Sequence, residues 1–129
     1  MVNYRRNRIS GDTFFFTVNL KNRQSGLLVE NIDLLRKATK NVRHDRPFEI
    51  NAVVVLPDHL HTIWTLPPDD NDYPGRWRAI KATYTSALRK SGRRLNRNSK
   101  GEYDVWQRRF WEHTIRNSTD FQKHVDYIH

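Results

Sequence analysis

The chain has 129 residues, with 23 Lys plus Arg against 14 Asp plus Glu and a formal charge of +9. That length suits one domain, 1–129, with its own core, and the lack of cysteine excludes a disulfide scaffold, a thiolate zinc site and a cysteine nucleophile. No apolar run approaches a membrane span, and Met1-Val2-Asn3-Tyr4-Arg5-Arg6 has no apolar stretch behind its charges, so a soluble, cytoplasmic protein with no membrane partner is expected.

Thr13 to Leu20 alternates, with Phe14, Phe16, Val18 and Leu20 on one face, and predicts a half-buried strand. Leu28, Ile32, Leu35 and Val42 then recur at helical spacing, with Asp33 and Lys37 paired at i,i+4 on the outer face. Ile50 to Leu56 is a continuous apolar run, which suggests a strand buried on both faces. Pro57-Asp58 turns the chain, and His59 to Leu66 returns as its hairpin partner. Pro74 suits the first turn of a helix striped by Trp77, Ile80, Tyr84 and Leu88, which Ser91-Gly92 stops. Gly92 to Asp104 reads as a basic loop, and Val105 to Ile115 as a further strand. Asn117-Ser118-Thr119 offers caps to a last helix striped by Phe121, Val125 and Ile128.

This order predicts an α+β fold, ferredoxin-like (RRM-like), with an antiparallel sheet and helices on one face. The other face is expected to stay open for function, with a C-terminal helix carrying Tyr127.

The charge is concentrated. Twelve Lys and Arg lie between Arg76 and Arg116, opposed only by Glu102, Asp104 and Glu112, and the rest of the chain balances. Trp77, Tyr84, Trp106, Phe110 and Trp111 interleave with these cations. Guanidinium forks match phosphate oxygens and aromatic faces stack on bases, so the pattern points to nucleic acid. A solvated basic face is the bland alternative. Tyr4-Arg5-Arg6-Asn7-Arg8 forms a second basic knot in an N-terminal arm.

Two further features could carry chemistry. His59 and His61 are i and i+2 on a strand, so both imidazoles share the face opposite Leu60, Trp64 and Leu66. A divalent ion could bridge them, although two surface histidines fit the same spacing. Tyr127 shares a helix face with Lys123 and His124. A phenol titrates near ~10 in water and needs help to act as a nucleophile; an anchoring tyrosine is the alternative.

Taken together, Val54-Val55-Leu56-Pro57-Asp58-His59-Leu60-His61-Thr62-Ile63-Trp64, Val105-Trp106-Gln107-Arg108-Arg109-Phe110-Trp111-Glu112-His113 and His124-Val125-Asp126-Tyr127-Ile128-His129 resemble the REP-associated tyrosine transposases, small single-tyrosine HUH nucleases. Tyr4-Arg5-Arg6 and Thr13 to Asn22 are similar to that family as well, so the likeness covers almost the whole chain.

The resemblance implies that His59 and His61 bind Mg²⁺ or Mn²⁺. It implies that Tyr127 attacks a phosphodiester of single-stranded DNA, leaving a 5′-phosphotyrosine and a free 3′-hydroxyl. Its DNA would be REP-type, a short imperfect hairpin with a tetranucleotide at its foot. Tyr4, Arg5, Arg6 and Arg8 would contact that DNA, and Lys81, Arg93, Arg94, Arg97, Arg108 and Arg109 its backbone. Family members continue past the tyrosine with an Asn-Pro-Val-Lys-like segment whose polar side chain would be the third metal ligand. This sequence stops two residues after Tyr127, so a trimmed chain is expected, with His124, His113 or His129 as possible substitutes. Monomer and homodimer both remain open. The rival readings are a non-catalytic RRM-like nucleic-acid-binding module and a replication initiator or relaxase, proteins that are usually larger.

Overall fold

A computed structural model describes residues 11–128; the expected contacts Tyr4, Arg5, Arg6 and Arg8, and also His129, lie outside the described residues. Strand β1 (Thr13–Asn19) leads to a short helix α1 (Leu27–Glu30) and then to α2 (Ile32–Asp45). Strands β2 (Glu49–Val55) and β3 (His59–Thr65) follow as a hairpin. Helix α3 (Tyr73–Lys90), strand β4 (Trp111–Thr114) and helix α4 (Ser118–Ile128) complete the order. The four strands form one antiparallel sheet in the order β2-β3-β1-β4. Among the described residues no helix is long and apolar enough to cross a membrane.

The alternation of β1 does place Phe14, Phe16 and Val18 in the larger core. There they meet Leu28 of α1, Leu35 and Val42 of α2, and the full α3 stripe of Trp77, Ile80, Tyr84 and Leu88. Trp64 stacks on Trp77 at 4.3 Å and packs against Phe48 at 4.1 Å. Helix α3 starts as its sequence requires, because Asp72 accepts the Gly75 N–H at 2.9 Å and Pro74 occupies the first turn.

Four expectations are corrected. The other face of β1 is not solvated: Phe15 is 3 % exposed and joins Ile63, Ile115 and Ile128 in a second core. That core exists because α4 lies on the face expected to stay open, with Phe121 and Val125 packed beside Ala52 and Val54. Strand β2 is an edge strand rather than a doubly buried one, and Val53 is 51 % exposed. Its register shifts between Ile50 and Ala52, and the Asn51 side chain accepts from Thr65 Oγ1 at 2.9 Å. Strand β4 spans only Trp111–Thr114, with Trp106 touching Leu20 through an isolated bridge. The first predicted helix is interrupted at Asn31, and Asp33 pairs with Arg36 at 3.5 Å rather than with Lys37.

The loop between α3 and β4 is also more ordered than its composition suggests. Arg89 and Arg97 stack over the Tyr103 ring at 4.6 and 4.4 Å, and Arg97 pairs with Tyr103 across an isolated bridge.

Candidate functional site

The antiparallel register of β1 and β3 sets Thr17 opposite His61 and Asn19 opposite His59. Cross-strand partners share a face, so Thr17 Oγ1 and His61 Nδ1 meet at 2.9 Å. The next histidine is held from within the hairpin turn. Asp58 Oδ1 lies 2.8 Å from His59 Nδ1, and Arg23 Nε donates to Asp58 Oδ2 at 2.6 Å. A carboxylate can only accept, so His59 Nδ1 carries the proton. The hydrogen bonds from Arg23 and His59 lower the Asp58 carboxyl to about 2, keeping it charged.

The two imidazole rings stand 5.0 Å apart, nearly perpendicular. His61 is buried and His59 half-buried. Burial holds the His61 imidazole below its usual range, and the neighbouring His59 pushes in the same direction. With Nδ1 of each ring engaged, Nε2 is the nitrogen left to coordinate. Histidine ligands of metals are commonly oriented by such partners.

Helix α4 brings the third group. Its apolar stripe docks on the β2–β3 side of the second core, and this sets Tyr127 beside the histidines. The Tyr127 ring lies 5.1 Å from the His61 ring and 5.9 Å from Phe15, edge-on to both. The phenol is 67 % exposed, so a polymer could reach it. His59, His61 and Tyr127 are therefore assembled within one chain.

Sequence reading missed three residues of this site, Thr17, Asp58 and Phe15, and also Asp120, which lies apart from it. Phe15 touches His61, His124 and Tyr127, but a phenylalanine in an alternating strand reads as ordinary core. Asp58, directly before His59, was a legible signal read only as a turn. His113 and His124, the possible substitute ligands, do not join the histidine pair; they gather around Asp120 in a separate group that could hold a metal ion.

The expected phosphate contacts divide into two kinds. Lys81 is half-buried and its Nζ donates to Gln107 O at 3.0 Å, with the Phe110 and Trp106 rings 5.4 and 6.0 Å away. Burial lowers its ammonium from the usual lysine range. Lys21, Arg78, Arg89, Lys100 and Arg108 line the same groove of about 820 Å³, opposed by Glu102 and Asp104. Arg93 and Arg108 sit at the surface in ion pairs with Glu30 and Glu102, at 3.3 and 3.7 Å, while Arg94 and Arg109 are exposed. Arg76, counted in the basic excess, is 3 % exposed and belongs to the fold. The groove opens beside α3, on the opposite side of the sheet from the histidines.

Comparison with known proteins bears on the chain as a whole. The family described as IS200-like transposases matches residues 2–129. A REP-associated tyrosine transposase of Escherichia coli (strain K12) is 52 % identical over 129 residues, covering 100 % of this chain and 71 % of the relative. A Haemophilus influenzae relative is 40 % identical, covering 100 % of this chain and 74 % of its own. A solved REP-associated tyrosine transposase bound to a REP hairpin superposes with a TM-score of 0.79 at 52 % identity, over 99 % of this chain and 70 % of the other. A Deinococcus radiodurans protein at 19 % identity shares the fold, with a TM-score of 0.65 over 100 % of this chain and 98 % of its own.

Proposed function

This chain belongs to the family of IS200-like transposases, and we propose that it is a metal-dependent endonuclease and strand transferase for single-stranded DNA bearing a REP-type hairpin. The observation that carries this reading is the Tyr127 ring 5.1 Å from the His61 ring inside one chain. The choice of DNA is supported by the relative's name and by the REP hairpin held in the solved structure that is 52 % identical.

Tyr127 Oη attacks the scissile phosphorus, forming the Oη–P bond as the P–O3′ bond breaks. The phenol gives up its proton, the departing 3′ oxygen gains one, and the 5′ end stays on the enzyme as a phosphotyrosine. Attack by another 3′-hydroxyl reverses the step and joins strands. One phosphodiester replaces another, so no nucleotide is consumed.

The histidine pair suits a divalent ion. Asp58 and Thr17 hold Nδ1 of His59 and His61, and burial keeps His61 neutral with a lone pair to donate. When bound, Mg²⁺ or Mn²⁺ supplies stabilisation of the charge that develops on the phosphoryl oxygens. An imidazole pair favours Mn²⁺ of the two, since Mg²⁺ prefers oxygen ligands. Lys81, Arg93, Arg94, Arg97, Arg108 and Arg109 hold the DNA backbone, together with Tyr4, Arg5, Arg6 and Arg8. With the groove beside α3 and the rings on the opposite side of the sheet, the strand passes around the β4 edge.

The test is covalent capture. REP-type oligonucleotides labelled at the 5′ or 3′ end are incubated with the protein and Mn²⁺, and the reaction is resolved under denaturing conditions. An adduct retaining only the label 3′ of the cut is expected. Binding without an adduct across several cognate oligonucleotides would instead favour a non-catalytic nucleic-acid-binding module.

A further inference from the structure

We propose that His113, Asp120 and His124 form a second divalent-metal site, for an ion of the Zn²⁺ class, which staples the tyrosine helix to the sheet edge. The three residues come from β4 and from successive turns of α4. His113 Nε2, a carboxylate oxygen of Asp120 and a ring nitrogen of His124 all lie within 4.8 Å of one another. His113 Nε2 is 2.9 Å from Asp120 Oδ2, and His124 Nδ1 is 3.2 Å from Asp120 Oδ1. Ligand atoms held ~2.0–2.1 Å from a tetrahedral ion stand roughly 3.3 Å apart, so both histidines already stand near that spacing from Asp120.

The donors are of the right kind. Two imidazoles and one carboxylate, with no thiolate, suit Zn²⁺, Co²⁺ or Ni²⁺ far better than Mg²⁺. Asp120 is 7 % exposed; burial opposes its ionisation, yet hydrogen bonds from the Arg116 N–H and from His113 keep it below the usual carboxylate range. Arg116 also fixes its direction, through its backbone N–H at 2.9 Å and its Nε at 3.4 Å from Oδ2. The two rings face each other at 4.7 Å, only 19° from parallel.

Without an ion, protons satisfy this cluster. His113 Nε2 can donate to the Asp120 carboxylate, and His124 Nδ1 to Asp120 O at 2.8 Å. A bound ion replaces both protons and ties β4 to α4 directly. No ligand is shared with the histidine pair, and Phe15 stands between: its ring is 5.7 Å from His61 and 4.7 Å from His124. The consequence for Tyr127, one helical turn beyond His124, rests on the reading of that tyrosine as nucleophile; the existence of the site does not.

The experiment removes the first pair. The His59→Ala/His61→Ala variant is titrated with Zn²⁺ and with Co²⁺, following bound metal by equilibrium dialysis, Co²⁺ by its visible absorption, and thermal stability. One ion per chain and a metal-dependent rise in Tm are expected. Adding His113→Gln, which retains a donor toward Asp120 and so protects the fold, should remove uptake, colour and the rise in Tm; His124→Gln should do the same. No uptake at micromolar metal, or uptake that survives both glutamine variants, overturns the proposal. Neither result touches the covalent adduct, whose absence alone would overturn the nucleophile.

Discussion

The ring of Tyr127 stands edge-on to the ring of His61, 5.1 Å between centroids, and both rest on Phe15. The contact uses the aromatic ring, and Tyr127 Oη has no hydrogen-bond partner among the described residues. Tyr127→Phe keeps every ring contact and removes only the oxygen. Thermal stability should stay within ~0.5 kcal/mol, as for an exposed substitution. DNA affinity should be nearly intact while the denaturation-resistant adduct disappears. Joint loss of affinity and adduct in a gel-shift and covalent-capture pair would mark the tyrosine as structural.

Thr17→Val tests the orientation of His61. The hydroxyl lies 2.9 Å from Nδ1 on the neighbouring strand, and valine keeps its shape and strand preference. Removing such a supporting partner typically costs metal affinity about 10–100-fold. The Mn²⁺ concentration for half-maximal adduct formation should rise accordingly, with the DNA dependence unchanged. An unchanged Mn²⁺ dependence would show that the hydroxyl does not serve the metal.

Trp111 is 55 % exposed at the β4 edge, where it lies 5.9 Å from Phe15 and 6.0 Å from His113. An exposed indole joined to Tyr127 through the Phe15 ring offers a face on which a base can stack. Trp111→Ala should weaken single-strand binding by about 1–3 kcal/mol, with little dependence on sequence. Fluorescence anisotropy on several oligonucleotides measures this, and equal affinities for variant and wild type would refute it.

Much of this was legible because the relevant signals are local. Strand alternation placed Phe14, Phe16 and Val18, helical spacing placed Trp77, Ile80, Tyr84 and Leu88, and the i,i+2 rule put both histidines on one face. What escaped depends on partners distant in sequence. An edge strand and a central strand can share one apolar run, so Ile50 to Leu56 gave no sign that β2 lies at the sheet margin. The apolar stripe of α4 signalled burial but not which face of the sheet it covers. Charge counting treated Arg76 like its neighbours, and burial separates them. Asp120 follows Asn117 by three residues, the spacing of a capping box; Asn117 Oδ1 does accept the Asp120 N–H at 2.8 Å, but the carboxylate turns toward His113.

Arg76 yields the last prediction. Its guanidinium is 3 % exposed; it donates to Arg46 O at 3.1 Å, Pro47 O at 2.9 Å and Asp72 O at 3.2 Å, and to both Asp70 oxygens at 3.1 and 2.9 Å. Arg76→Ala leaves those acceptors without their donor and should cost about 3–5 kcal/mol in urea unfolding at neutral pH. The loss has a predictable acid dependence. The hydrogen bond from Arg76, with help from the Asp72 N–H, lowers the Asp70 carboxyl from 3.8 to about 2. A depressed carboxyl contributes stability that is complete above 3.8 and lost as pH falls through about 2. The gap between wild type and Arg76→Ala should therefore narrow across that window. Meanwhile the salt dependence of DNA binding should keep its slope, because a buried guanidinium neutralises no phosphate; a slope shallower by roughly one unit would place Arg76 on the DNA instead.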